Sequence, residues 1–118
     1  MMDRNRGIVI RRLGESFRQC TEIDEWALES PGPGEVRVRH HYAGVNGVYD
    51  QMMCLDRVEH TRVRPPAGAG VEVVGVIDAL GEGVTGWAVG DSVAVVRAGR
   101  GYRLTTPSEA QRSRQPAR

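Results

Sequence analysis

Three stretches in the first half of the chain carry alternating or β-branched patterns: residues 7–13 (GIVIRRL), 21–28 (TEIDEWAL) and 35–43 (EVRVRHHYA). A period of two places successive side chains on opposite faces of a pleated strand, so each stretch is expected to be a strand. The first two are joined by the polar residues 14–19, a hairpin-like arrangement that makes the sheet antiparallel at its start. Between the second and third lies SPGPGE, residues 30–35, where two prolines without donors and two glycines free to take positive φ exclude a regular element. In the third strand Val36 and Val38 share a face with His40, while Arg37, Arg39 and His41 share the other, so the two histidines cannot act as a pair.

The period changes at residues 46–55, NGVYDQMMCL. Val48, Met52 and Leu55 recur at helical spacing behind Asn46, a favourable cap, which predicts the one convincing short helix. Residues 56–70 read as a long surface loop, with Pro65-Pro66 forcing extended backbone. Two apolar, β-branched strands follow at 71–80 and 91–96 around a Gly-rich turn. The expectation is a mainly β fold: a compact, partly open β-barrel with one or two short helices. The domain is expected to end at residue 106. Residues 107–118, the bulk of the polar, Arg-bearing stretch TTPSEAQRSRQPAR, are expected to be a disordered tail.

Length and composition narrow this picture without changing it. A chain of 118 residues supports one domain. Only 5% of its residues are aromatic, so Val, Ile, Leu and Ala must build the core. All 16 cationic side chains are Arg, balanced by 15 acidic ones to a net charge of +1, which gives no field to attract nucleic acid or an anionic membrane. The start shows no apolar leader segment and no run is long enough to span a bilayer, so a cytoplasmic location is expected. Cys20 and Cys54 have no C-x-x-C spacing and are expected to be reduced, buried thiols.

GEGVTG, Gly81 to Gly86, matches the dinucleotide-binding pattern G-x-G-x-x-G and follows a predicted strand. That pattern works because glycines let the backbone approach a pyrophosphate while a following helix aims its N-terminal N–H groups at the charge. Here WAVGDSVAVV follows, with room for a turn and a strand but none for a helix. Gly81, Gly83 and Gly86 are therefore read as a turn between strands, with Trp87 as a packing anchor, and the chain as having no nucleotide-binding domain of its own.

SPGPGEVRVRHHYAGVN, GVEVVGVIDALGEGVTGWAVGDSVAVV and Gly101-Tyr102 occur in order. With them the chain resembles, over roughly residues 7–105, the N-terminal GroES-like catalytic domain of the medium-chain dehydrogenase/reductase superfamily. Within it the sequence is similar to the zinc-independent quinone oxidoreductase and enone reductase branch, including the prostaglandin reductase type. Zinc-dependent members take ligands from a Cys near the Gly-Val-Asn position and a His in Gly-His-Glu. Asn46 and Val71 stand at those positions, so no zinc site is expected. Cys54, His60 and Glu72 lack ligand spacing.

The resemblance implies NADPH as hydride donor to a small hydrophobic enone, carbonyl compound or quinone, with Asn46 and Tyr49 in catalytic roles. Tyr49 stands where many members have Asp, and Asp50 comes one step later. Asn46 is equally readable as a helix cap and Tyr49 as a packing residue. Asp50, Met53 and Glu72 would border the substrate cleft; Met53 is also a natural core filler, and Glu72 could instead pair with Arg64 or His41. In the superfamily a nucleotide-binding domain follows this one and the chain then returns. The expectation is that these residues are inactive alone and need a nucleotide-binding-domain partner or a homodimer. The alternatives are a non-catalytic barrel serving as a binding module or protein-interaction subunit, and a truncated remnant without function.

Overall fold

The structure, a computed structural model, describes residues 3–110. Its elements in chain order are β1 (Arg4–Ile10), α1 (Phe17–Cys20), β2 (Thr21–Ala27), β3 (Glu35–Gly44), α2 (Gly47–Cys54), β4 (Ala67–Gly68), β5 (Glu72–Leu80), β6 (Ser92–Val96) and β7 (Thr105–Glu109). They form two sheets, one ordered β2-β1-β4 and the other β6-β5-β3-β7, with every pairing antiparallel. The mainly β fold with two short helices is the one the sequence patterning predicts. No helix among the described residues is long and apolar enough to cross a membrane.

β1 and β2 pair along their full length, Arg4 opposite Ala27 and Ile10 opposite Thr21. The polar link between them holds a turn of helix, where the patterning predicts only a connection. Ser16 caps it by accepting from the Gln19 N–H at 3.3 Å, and Cys20 turns into the core. β3 and β5 form the central pair of the larger sheet, with irregularities between Arg37 and Val38 and between His40 and Tyr42. The second is a bulge. His40 faces Gly75 and Tyr42 faces Val74, so His41 is the extra residue, while His40 is half-buried and His41 exposed. Gly75 is required where it stands, because a Cβ there would collide with the backbone carbonyl of Arg39.

The C-terminal boundary differs from the expectation. Thr105–Glu109 is strand β7, paired with β3 from Glu35↔Glu109 to Arg39↔Thr105, so residues 107–109 do not belong to a disordered tail. Their polar composition misleads because Thr is a good strand residue once its backbone is paired, and Thr105 and Thr106 are both fully buried. Asn5 makes this possible. Its Nδ2 donates to the Thr105 carbonyl at 2.8 Å and its Oδ1 accepts from the Thr105 N–H at 3.2 Å. Ala110 follows, its N–H donating to the Gly34 carbonyl at 3.0 Å, and the rest of the expected tail, 111–118, lies outside the described residues. The expected long loop likewise contains β4, a two-residue strand beside β1.

Two apolar clusters hold the sheets. One gathers Ile10, Cys20, Met53, Cys54, Val63 and Ala69 between the smaller sheet and α2. The other, Val36, Val38 and Ile77, lies on the inner face of the larger sheet, where Trp87 packs as the expected anchor. Both cysteines are free and buried, and burial pushes the Cys54 thiol up to about 11. Gly7 links the two halves. It bridges to Arg103, and the Ile8 N–H donates to the Tyr102 carbonyl at 2.8 Å.

Candidate functional site

β3 ends at Gly44, and two residues later Asn46 starts α2 in extended conformation (φ −128°, ψ 92°). Its Oδ1 accepts from the Tyr49 N–H at 3.0 Å, satisfying one of the donors that a helix start leaves open. Because Oδ1 is engaged, the exposed Asn46 side chain keeps its amide donor Nδ2 without an acceptor among the described residues. The cap and the hydrogen-bond donor expected at this position are therefore compatible in one residue.

One turn into α2, Asp50 is 92% buried and accepts from the Tyr102 hydroxyl at 2.8 Å; the same hydroxyl accepts from the Asn46 N–H at 3.4 Å. Burial raises the Asp50 carboxyl above the usual carboxylate range, and the Tyr102 hydrogen bond offsets part of that. Burial also raises the Tyr102 phenol, and the carboxylates of Asp50 and Glu72 add to the shift by opposing a second negative charge. Tyr102 thus keeps its proton far above neutral pH. Phe17 meets its ring edge-on at 6.4 Å and fixes its plane.

Glu72 opens β5 directly opposite Gly44 in the β3–β5 ladder. The Glu72 side chain lies across Gly44, in the space that a Cβ there would take. Glu72 is exposed and makes no ion pair with Arg64 or His41 among the described residues. Beside it, Tyr42, Gly44, Val74 and Val96 floor a shallow apolar depression on the outer face of the larger sheet. A second cleft, open to solvent, lies on the inner face against Val36, Trp87, Val95 and Ala110. It is lined by residues of the second core cluster and includes none of Asn46, Asp50, Tyr102 and Glu72.

The structure therefore joins the Asn46 backbone and Asp50 through the Tyr102 hydroxyl, with the Glu72 charge adding to the upward shift of Tyr102. Tyr49 follows on α2 but packs half-buried against the first core cluster. Met53 is only 3% exposed inside that cluster, so it serves as core filler. Tyr102 is the residue that sequence reasoning misses. It enters only as half of a Gly-Tyr signature, and its partner lies 52 positions away, so no local pattern could point to the pair.

The possible metal ligands do not assemble. Cys54 is in the core, His60 is exposed beside Glu59, and no group of three His, Cys, Asp or Glu side chains among the described residues could hold an ion. A nucleotide pyrophosphate does not fit GEGVTG either. The segment connects the antiparallel strands β5 and β6, and no helix follows it. Gly83 and Gly86 take positive φ of 78° and 82°, while the Gly81 N–H is spent on the Glu35 carbonyl at 2.7 Å. These glycines shape a turn.

A central antiparallel ladder, a Pro-Gly turn leading into it and a capped helix beside Gly-Val-Asn define a class. The chain belongs to the alcohol dehydrogenase GroES-like domain family, whose model matches residues 32–114. The L-threonine 3-dehydrogenase of Pyrococcus furiosus is 36% identical over 87 residues, covering 74% of this chain and 24% of that protein. The chain thus spans about a quarter of the length of this curated relative. Among solved structures, human synaptic vesicle membrane protein VAT-1 homolog-like protein superposes with a TM-score of 0.78 at 23% identity, over 90% of this chain and 33% of its own. The Escherichia coli quinone oxidoreductase complexed with NADPH does so with a TM-score of 0.73 at 19% identity, over 89% of this chain and 31% of its own. At those identities the likeness is one of fold.

Proposed function

We propose that this domain forms one wall of a reductase cleft that accepts a quinone or an enone, in an NADPH-dependent reaction that uses no zinc. The observation that carries the reading is Asn46. At a position where zinc-dependent relatives place a ligand, the chain has an exposed amide whose oxygen is committed to the helix and whose N–H₂ is left to donate. Such a donor suits a carbonyl oxygen that gains negative charge during reduction. Val71, at the second ligand position, has no atom that binds zinc.

The neighbouring groups support the same chemistry. Tyr102 donates its proton to Asp50 and accepts from the Asn46 backbone N–H, which supports its reading as the proton source beside the amide donor. The apolar depression next to Glu72 suits a hydrophobic substrate body. No phosphate cradle exists among the described residues, so the reading requires a nucleotide-binding unit from outside them to hold the hydride donor.

The test is a nuclear magnetic resonance titration of the isotopically labelled chain with 2-cyclohexenone and, separately, with zinc sulfate. The enone is expected to shift Asn46, Tyr49 and Tyr102 saturably, and Asn46→Ala to weaken its binding by about tenfold through loss of one hydrogen bond. Zinc is expected to leave those signals in place. NADPH consumption by the chain alone is expected to be absent. Enone shifts confined to Val36, Trp87 and Val95 would remove the reductase reading in favour of a non-catalytic binding barrel.

A further inference from the structure

The link between β1 and β2 brings two thiols together. The Arg11 N–H donates to the Cys20 carbonyl at 2.7 Å and the Gly14 N–H to the Cys54 carbonyl at 2.9 Å, so one short turn holds the backbones of both cysteines. A Cβ on Gly14 would lie 3.0 Å from the Cys20 Sγ, which places that sulfur over the residue bonded to Cys54. Both side chains are buried in the first apolar cluster, where α1 packs against α2. After burial, the charge and the hydrogen bond of Cys20 are the next causes of the upward shift of the Cys54 thiol. A thiol is a weak donor and a weak acceptor, so such a bond requires the two sulfurs to be in contact.

The cover over the pair is thin. α1 is one turn of four residues, capped by a single exposed bond from the Gln19 N–H to the Ser16 hydroxyl, and Leu13, Glu15, Arg18 and Gln19 around it are exposed. A segment with so few contacts opens locally at less cost than global unfolding. While it is closed the thiols are inert, because burial keeps Cys54 protonated at neutral pH. Once it lifts, Cys20 meets solvent as an ordinary thiol, since it is the last residue of the turn.

We propose that Cys20 and Cys54 are a reversible disulfide site, closed by a small-molecule disulfide through opening of α1. The Cys20 thiolate attacks one sulfur of the oxidant, forming a mixed disulfide and releasing one thiol. When α1 closes again the Cys54 sulfur attacks that of Cys20, the Cys20–Cys54 bond forms, and the second thiol leaves with the proton that Cys54 loses. Two protein thiols are oxidised and the external disulfide is reduced to two thiols. Excess thiol runs the same steps backwards, so the bridge acts as a switch. It ties α1 to the last residue of α2, the helix that Asn46 caps and that carries Asp50. This inference does not depend on the reductase reading.

The test is to incubate the folded chain with glutathione disulfide at neutral pH, quench it in acid, unfold and alkylate it, and weigh the products by mass spectrometry. The expected product is a monomer without alkylated thiols that yields a Cys20–Cys54 cross-linked peptide, and dithiothreitol is expected to restore both thiols. The bridged chain is expected to have a higher denaturant midpoint, because the bond constrains the unfolded chain. Ser16→Ala, which removes the α1 cap, is expected to speed bridging about threefold with the same product. Two thiols left free, a glutathione adduct that does not resolve, dimers linked between chains, or a bridged chain less stable than the reduced one would each overturn the proposal. So would a rate indifferent to Ser16→Ala, which would assign bridging to global unfolding.

Discussion

Asp50 and Tyr102 show how one contact sets the chemistry of two residues. Alone, the buried Asp50 and the half-buried Tyr102 would each be a costly polar group, and together they share one proton in a 2.8 Å hydrogen bond. His40 has no such relief. Neither ring nitrogen makes a hydrogen bond of ordinary geometry, and burial lowers its pKa, an effect that the nearby backbone of Arg103 and Gly101 only partly offsets. Its folded pKa therefore lies below the unfolded value of 6.5, and the unfolded chain binds the proton first on acidification. Stability from this residue is complete above pH 6.5 and is lost as pH falls through the folded pKa. The denaturant midpoint is expected to drop on acidification from above pH 6.5, and His40→Gln to flatten that drop. An unchanged slope in the variant would assign the pH dependence to another group. The sequence places His40 on the Val36 and Val38 face correctly, but the bulge that singles out His41 comes only with the β5 pairing.

Among the elements, α2 is the most legible and β7 the least. α2 announces itself through Asn46 and a change of hydrophobic period, both local signals. The cap can be separated from the donor role. Asn46→Ala is expected to cost about 1 kcal/mol in thermal or chemical unfolding, and Asn46→Asp to retain most of the cap while removing the Nδ2 donor. Enone binding should fall in both variants if the free amide is what the substrate meets. β7 reads as part of a polar tail because nothing in TTPSE alternates in hydrophobicity. It is a strand because the β3 edge offers it partners and Asn5 closes on Thr105 from 100 positions away.

Across the molecule, two sheets with separate clusters depend on a few contacts between distant strands. Gly7 is the tightest of these. A Cβ there would lie 2.6 Å from the Tyr102 carbonyl oxygen and 2.8 Å from the Arg103 Cβ, and these are backbone or backbone-proximal atoms with little room to yield. Gly7→Ala is expected to destabilise the chain by about 2 kcal/mol, seen as a lower denaturation midpoint, and to displace the Tyr102 signals toward those of an exposed tyrosine. A neutral effect would show that the strands slide apart without cost. Arg103, next in this seam, stacks on Trp26 at 5.2 Å and lies 3.6 Å from Glu29, tying the smaller sheet to the segment that precedes β7.

Local signals suffice for the clearly patterned strands, the capped helix, the turn character of GEGVTG and the class of fold, because period, caps and turn residues act within a few positions of one another. That Tyr102 meets Asp50, that Asn5 completes β7 and that Met53 belongs to the core follow from the closed fold and from nothing less. Each of these depends on which strand lies beside which and in what register. Hydrophobic alternation gives the face of a strand but not its neighbour, so these contacts appear only when the whole chain has closed.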